Sequence, residues 1–201
     1  NSMAFLFESF EGWRKYSEEK VMPLWLVVME YEIHQKGRTE EEIWNGLQNA
    51  WTVMREAVHT GLTEEMTSRS GMINNGAKKV FHYPTPVISV EFQKLIARAL
   101  AAKEVNSCMG RIVAAPTAGA SGIMPGVLFT LQEIHDINDR KILEAMLLAA
   151  GIALIMEQKA SISGAVGGCQ AETGTAAAMA AGSIVFCLGG NTDHIFNAVA
   201  I

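Results

Sequence analysis

The stretch Ser161-Ile-Ser-Gly-Ala-Val-Gly-Gly-Cys-Gln-Ala-Glu-Thr-Gly174 sets one thiol just after a glycine-rich turn and just before a run of small residues. That spacing lets backbone come close to a bulky group and presents a single sulfur to it. A second loop, Ala114-Ala-Pro-Thr-Ala-Gly-Ala-Ser-Gly122, has the same character and carries hydroxyls in place of the thiol. Cys169 is a candidate soft metal ligand, and equally a free cysteine in a packed interior. Thr117, Ala118, Gly119 and Ser121 offer hydroxyls and amides ahead of a helix, which suits a carboxylate, although Thr117 or Ser121 could simply cap that helix. Ser163 is a similar candidate on the other loop. Lys78, after the Ser-Gly-rich stretch from Ser70 to Gly76, could hold an anion or be a solvated surface lysine. Glu172, one turn beyond Cys169, could carry a proton or act as an acid that steadies a helix start. The five histidines show no metal-ligand spacing, and none is assigned a catalytic role.

The elements that must hold these loops read as helices, so the expected fold class is all-α, a single helical domain over residues 1–201. Glu18 to His34 reads as one helix with Pro23 in its early turns and Gly37 beyond its end. Thr39-Glu-Glu-Glu42 is a capping box opening a helix to about His59, with Gly61 as its stop. A short helix bears Lys78 and Lys79, and another starts at Thr85-Pro86. Arg111 to Ala115 is briefly extended. Ile123 to His135 is helical, with Pro125 tolerated in its first turn. Asp139 caps a long helix to about Glu157, and a small-residue helix follows the second glycine loop. The last helix starts at Thr192 or Asp193. Asn1-Ser2 reads as a cloning scar before Met3. Asn197 to Ile201 has helical character without a stop signal, which predicts that a native C-terminal piece is missing.

Composition narrows the partners. Net charge is −5 with both signs interspersed and no basic run, which argues against nucleic acid. Cysteines number three and are widely spaced without a CxxC pair, which fits a reducing cytoplasm better than a secreted disulfide scaffold. The uncharged run from Thr173 to Thr192 approaches bilayer length, but its Ala and Gly content reads as a tightly packed helix.

Two ordered segments carry a family resemblance. Glu104-Val-Asn-Ser-Cys-Met-Gly-Arg-Ile-Val-Ala-Ala-Pro-Thr-Ala-Gly-Ala-Ser-Gly-Ile-Met-Pro-Gly126 and Gly167-Gly-Cys-Gln-Ala-Glu-Thr-Gly-Thr-Ala-Ala-Ala-Met-Ala-Ala181 resemble the alpha, catalytic region of bacterial iron–sulfur L-serine dehydratases. The resemblance implies conversion of L-serine to pyruvate and ammonia, part of serine catabolism and gluconeogenesis, without pyridoxal phosphate. It also implies an oligomer and a beta chain or beta domain, which could supply the catalytic base. It further implies a [4Fe–4S] cluster held by three cysteines, its open iron acting as Lewis acid on the serine hydroxyl. Cys169 falls on the family's Gly-Gly-Cys-Gln-Ala-Glu motif and matches its first ligand. Neither Cys108 nor Cys187 lies in a matching motif, so the expectation is that residues 1–201 alone are inactive and cluster-free, with mobile loops. Two alternatives stand beside this reading. One is a pyridoxal-phosphate dehydratase using Lys159. The other is a non-enzymatic helical interaction module built on the methionine-rich helices.

Overall fold

Local signals for starting and stopping helices account for most of the architecture. The structure, a computed structural model, describes residues 7–83 and 85–201, so the reading of residues 1–2 lies outside it. The described residues form nine helices and no strand, only an isolated bridge between Thr67 and Asn74. The all-α expectation holds.

Helix α1 (Phe10–Lys20) is capped by Ser9, whose hydroxyl accepts from the Gly12 amide at 3.0 Å. It ends at Val21, in the left-handed region at φ 53°. Helix α2 (Leu24–Lys36) starts afresh behind Pro23 and ends at Gly37, φ 68°. The single helix expected from Glu18 to His34 is therefore two. Proline disfavours helical backbone at Met22 and has no amide to donate, and the Ser17 hydroxyl closes the break on the Met22 carbonyl at 2.6 Å.

Helix α3 (Glu40–Thr63) opens with the capping box. The Glu42 amide donates to Thr39 Oγ1 at 3.1 Å and the Thr39 amide to Glu42 Oε2 at 2.8 Å. Gly61 does not stop α3. It lies inside the helix where α5 (Val90–Ser107) passes, and a Cβ there would sit 2.4 Å from the Ala101 carbonyl oxygen. The glycine marks a close approach of two backbones. Between them lies the short α4 (Gly76–His82). Helix α5 is capped by Ser89, which accepts from Phe92 N at 3.2 Å, and not started by Thr85-Pro86; the Thr85 amide is drawn to the Gln93 side chain instead, at 3.0 Å. Arg111 to Ala115 joins no ladder and remains a loop, because extended backbone needs a partner strand to satisfy it.

Helix α6 (Ile123–His135) keeps Pro125 in its first turn as expected. Helix α7 (Asp139–Lys159) is capped by Asn138, which accepts from Lys141 N at 2.9 Å; Asp139 is its first-turn acid rather than its cap. Helix α8 (Gly164–Cys187) contains a break at Gly168, and α9 (Thr192–Ala200) opens on a capping box at Asn191. No helix among the described residues is long and apolar enough to cross a membrane.

The chain divides into two units, residues up to Asn49 with Asn138–Ile201, and Ala50–Ile137. In the first, α7 packs on α2 and α8, and α8 on α9. Trp13 is fully buried, donates from Nε1 to the Leu24 carbonyl at 3.1 Å, and meets Phe196 at 5.6 Å between ring centres. Small residues on α8 permit the packing. A Cβ at Gly182 would meet Ile152 at 2.6 Å, and the Ser183 hydroxyl bonds within α8 to Met179 O at 2.8 Å. In the second unit α5 is central, with α4 and α6 against it. Ala57, Val58, Met66, Ala102 and Val105 form an apolar cluster there, against which Cys108 packs.

Candidate functional site

In the second unit, one turn near the end of α5 fixes the hydroxyl-bearing loop. Lys103 Nζ donates to the Gly119 carbonyl and Asn106 Nδ2 to the Ala118 carbonyl, each at 2.9 Å. Within the loop, the Ala120 amide donates to Thr117 Oγ1 at 3.4 Å and the Ser121 amide to the Ala118 carbonyl at 3.4 Å. The loop then runs straight into α6 because glycine allows it. A Cβ at Gly122 would lie 2.1 Å from the Ala99 carbonyl oxygen, and one at Gly126 would lie 2.9 Å from the Ala99 amide nitrogen. Thr117 thus spends its hydroxyl in the turn. Ser121 is 2% exposed, and its Oγ is sealed from solvent with no hydrogen-bond partner among the described residues, so it does not cap α6. The loop sits at the positive end of the α6 dipole, which favours a carboxylate.

Lys78 lies in α4, half-buried, and its Nζ donates to Glu65 Oε1 at 3.0 Å. Its hydrogen bond, followed by that from Asn75 Nδ2, holds the Glu65 carboxyl below the usual carboxylate range. Lys78 is therefore an ion-paired, half-buried cation. Its neighbour Ala77 is fully buried and donates its amide to Glu104 Oε1 at 3.1 Å. Glu104 lies on α5 beside Lys103. The four loop candidates and the start of α4 are thus tied to the same turn of one helix.

In the first unit, Ser163 caps α8, its hydroxyl accepting from the Ala165 amide at 3.3 Å. The chain makes one helical turn, then breaks at Gly168, where φ is 76° and ψ 177°. Only glycine takes that conformation readily. The break makes Cys169 the opening residue of the longer helical stretch, and its side chain is exposed. Its carbonyl accepts from Thr173 Oγ1 at 2.8 Å. Glu172 folds back over the turn, so that a Cβ at Gly164 would lie 2.6 Å from its carboxyl carbon. Ser163, Cys169 and Glu172 therefore share one small turn.

The donor set does not by itself complete an iron–sulfur cluster, which needs several cysteine thiolates. Cys108 is used in apolar packing. Cys187 is at the opposite end of α8, roughly 27 Å away at 1.5 Å per helical residue, and burial pushes its thiol up to about 11. No group of three or more His, Cys, Asp or Glu that could hold a metal occurs among the described residues. Cys169 is the one exposed thiol among the three cysteines.

Lys103, Glu104 and Asn106 were not singled out by the sequence reading. Their spacing on α5 is a signal only once the loop they hold is known to lie beside that helix. Lys159, the alternative imine lysine, is the exposed last residue of α7.

The described residues are all-helical, with a pinned hydroxyl-bearing loop in one unit and an exposed thiol turn in the other. Residues 19–201 match the serine dehydratase alpha chain family, and the chain belongs to that family. It is 37% identical over 186 residues to the L-serine dehydratase alpha chain of Peptoniphilus asaccharolyticus, covering 91% of this chain and 64% of that protein. It is 33% identical over 199 residues to a probable L-serine dehydratase alpha chain of Bacillus subtilis strain 168, covering 98% and 66%. The L-serine dehydratase of Streptomyces coelicolor is 37% identical over 171 residues, covering 82% of this chain and 37% of that protein. The chain thus spans just under two thirds of the alpha-chain relatives.

Proposed function

We propose that this chain is the greater part of the alpha chain of an L-serine ammonia-lyase, which converts L-serine to pyruvate and ammonia in the cytoplasm together with a beta chain or domain. The family match over residues 19–201 carries this reading. The chain's own residues would bind and orient the amino acid. The Thr117–Gly122 turn, preset by Lys103 and Asn106, offers a carboxylate the positive end of α6 with little reorganisation on binding. The half-buried Lys78 adds a cation that an incoming carboxylate would take from Glu65. Glu172, folded over the thiol turn, is the candidate to hold or move a proton there. The proposed cofactor is a [4Fe–4S] cluster to which Cys169 gives one thiolate, the others coming from residues outside this chain.

The test is anaerobic reconstitution of the whole protein with iron, sulfide and its beta component. The expected result is a brown protein that releases pyruvate from L-serine. A folded protein that stays colourless and forms no pyruvate would defeat the proposal.

A further inference from the structure

We infer that Glu104 is a positioning residue for the substrate site, acting through the first turn of α4; this rests on the dehydratase reading above. Glu104 is 5% exposed, yet among the described residues its carboxyl accepts one hydrogen bond, from the Ala77 amide to Oε1, and Oε2 is sealed from solvent without a partner. A buried carboxyl with one idle oxygen costs stability that an apolar side chain of the same size would avoid. Filling space is therefore a poor account of it. The approach is also specifically built. A Cβ at Gly76 would sit 2.8 Å from Glu104 Oε1, so only glycine leaves the carboxyl its place, and Asn75 turns the chain into α4 at φ 53°.

What Glu104 holds gives the role. Lys103 and Asn106 fix the carbonyls of Gly119 and Ala118, and Glu104, between them in sequence, fixes the amide next to Lys78. One turn of α5 thereby sets the register of both segments proposed to meet the substrate carboxylate. A shift at such a support of even about 1 Å can cost a hundredfold in rate. Oε2 needs no substrate contact for this role.

The experiment compares Glu104→Ala, Glu104→Gln and Gly76→Ala in the reconstituted holoenzyme, with kcat and KM for L-serine and amide hydrogen exchange across residues 75–79. Glu104→Ala should lower kcat/KM about tenfold to a hundredfold and speed exchange at Ala77. Gly76→Ala should do the same by displacing the carboxyl while leaving Glu104 itself unchanged. Glu104→Gln keeps an acceptor for the Ala77 amide and should restore kcat/KM to within about threefold of the unaltered enzyme, since this hydrogen bond carries the role. The inference is overturned if Glu104→Ala and Gly76→Ala fold with both constants within twofold of the unaltered enzyme. It is also overturned if Glu104→Gln is as poor as Glu104→Ala, or if exchange rises along the whole of α5 and activity falls only with the folded fraction. An unaltered holoenzyme that makes no pyruvate strikes the dehydratase reading instead, and the exchange data still decide whether Glu104 anchors α4.

Discussion

The two small-residue turns are alike in sequence and opposite in construction. The Thr117–Gly122 turn is held by side chains from another helix, and its last glycine is wedged against the Ala99 backbone. The Ser163–Glu172 turn is held by its own residues: Ser163 caps it, Glu172 covers it and Gly168 bends it, while Cys169 is exposed. The first is built to be complete before anything binds. The second presents a sulfur outward. On the proposed function the difference makes sense: a substrate-orienting turn profits from being preset, whereas a turn that gives one ligand to a shared cofactor must fit partners supplied by other residues.

The largest effect expected follows from that exposed sulfur. Cys169→Ser in the whole reconstituted protein should abolish iron binding and pyruvate formation. Because the side chain touches so little, folding stability should stay within about 0.5 kcal/mol. Iron analysis beside a thermal melt checks both. Full turnover of serine by this variant would remove Cys169 from the proposal.

Glycine replacements sharpen the contrast. Gly122→Ala drives a methyl onto the Ala99 carbonyl oxygen, 2.1 Å away, and should destabilise the chain by about 3 kcal/mol. Gly168→Ala meets no atom within 4 Å and carries only backbone strain at φ 76°, about 2 kcal/mol. Gly174→Ala also meets nothing within 4 Å and has no positive φ, so better helix propensity should stabilise by about 0.5 kcal/mol. Urea titration of the three variants ranks them, and a neutral Gly122→Ala would show that the first turn is not wedged.

How much of this was legible from sequence varies with the range of the interaction. The Thr39–Glu42 capping box, the stop at Gly37 and the placing of Pro125 are short-range effects, and the sequence reading found each. Gly61 misled because a glycine near a helix end looks like a stop, while its actual reason is the Ala101 backbone on another helix. The break at Val21 was missed because the apolar pattern on either side continues across Pro23. Cys169 and the Thr117 loop stood out by residue type. Glu104 did not, since an acid in a helix reads as solvated until the fold buries it beneath Gly76.

Thiol reactivity should separate the same regions with a smaller effect. Cys169 is exposed, while burial holds the Cys187 thiol at about 11, so it stays protonated near pH 8. A disulfide reagent should label Cys169 first and leave Cys187 until the protein is unfolded. Equal labelling rates would mean that α8 opens readily at its far end.

The smallest effect concerns the clamp that keeps α6 on α5 behind the preset turn. Arg98 is 4% exposed, donates to Thr130 Oγ1 at 2.9 Å, lies 4.6 Å over the Phe129 ring and is ion-paired to Glu133. The Arg98 hydrogen bond holds the Glu133 carboxyl below its ordinary value of 4.5. A carboxyl depressed in the folded state stabilises fully above its unfolded pKa and loses that contribution as pH falls through the folded value. Stability of the unaltered chain should therefore decline below about pH 4.5 more steeply than that of Glu133→Gln, whose amide does not titrate in this range. With the Glu133 side chain 49% exposed, solvent screening limits the difference to less than about 1 kcal/mol. Urea midpoints measured from pH 7 down to pH 3 should converge for the two proteins at the acid end. Parallel curves would show that the clamp rests on Thr130 and the Phe129 ring rather than on the ion pair.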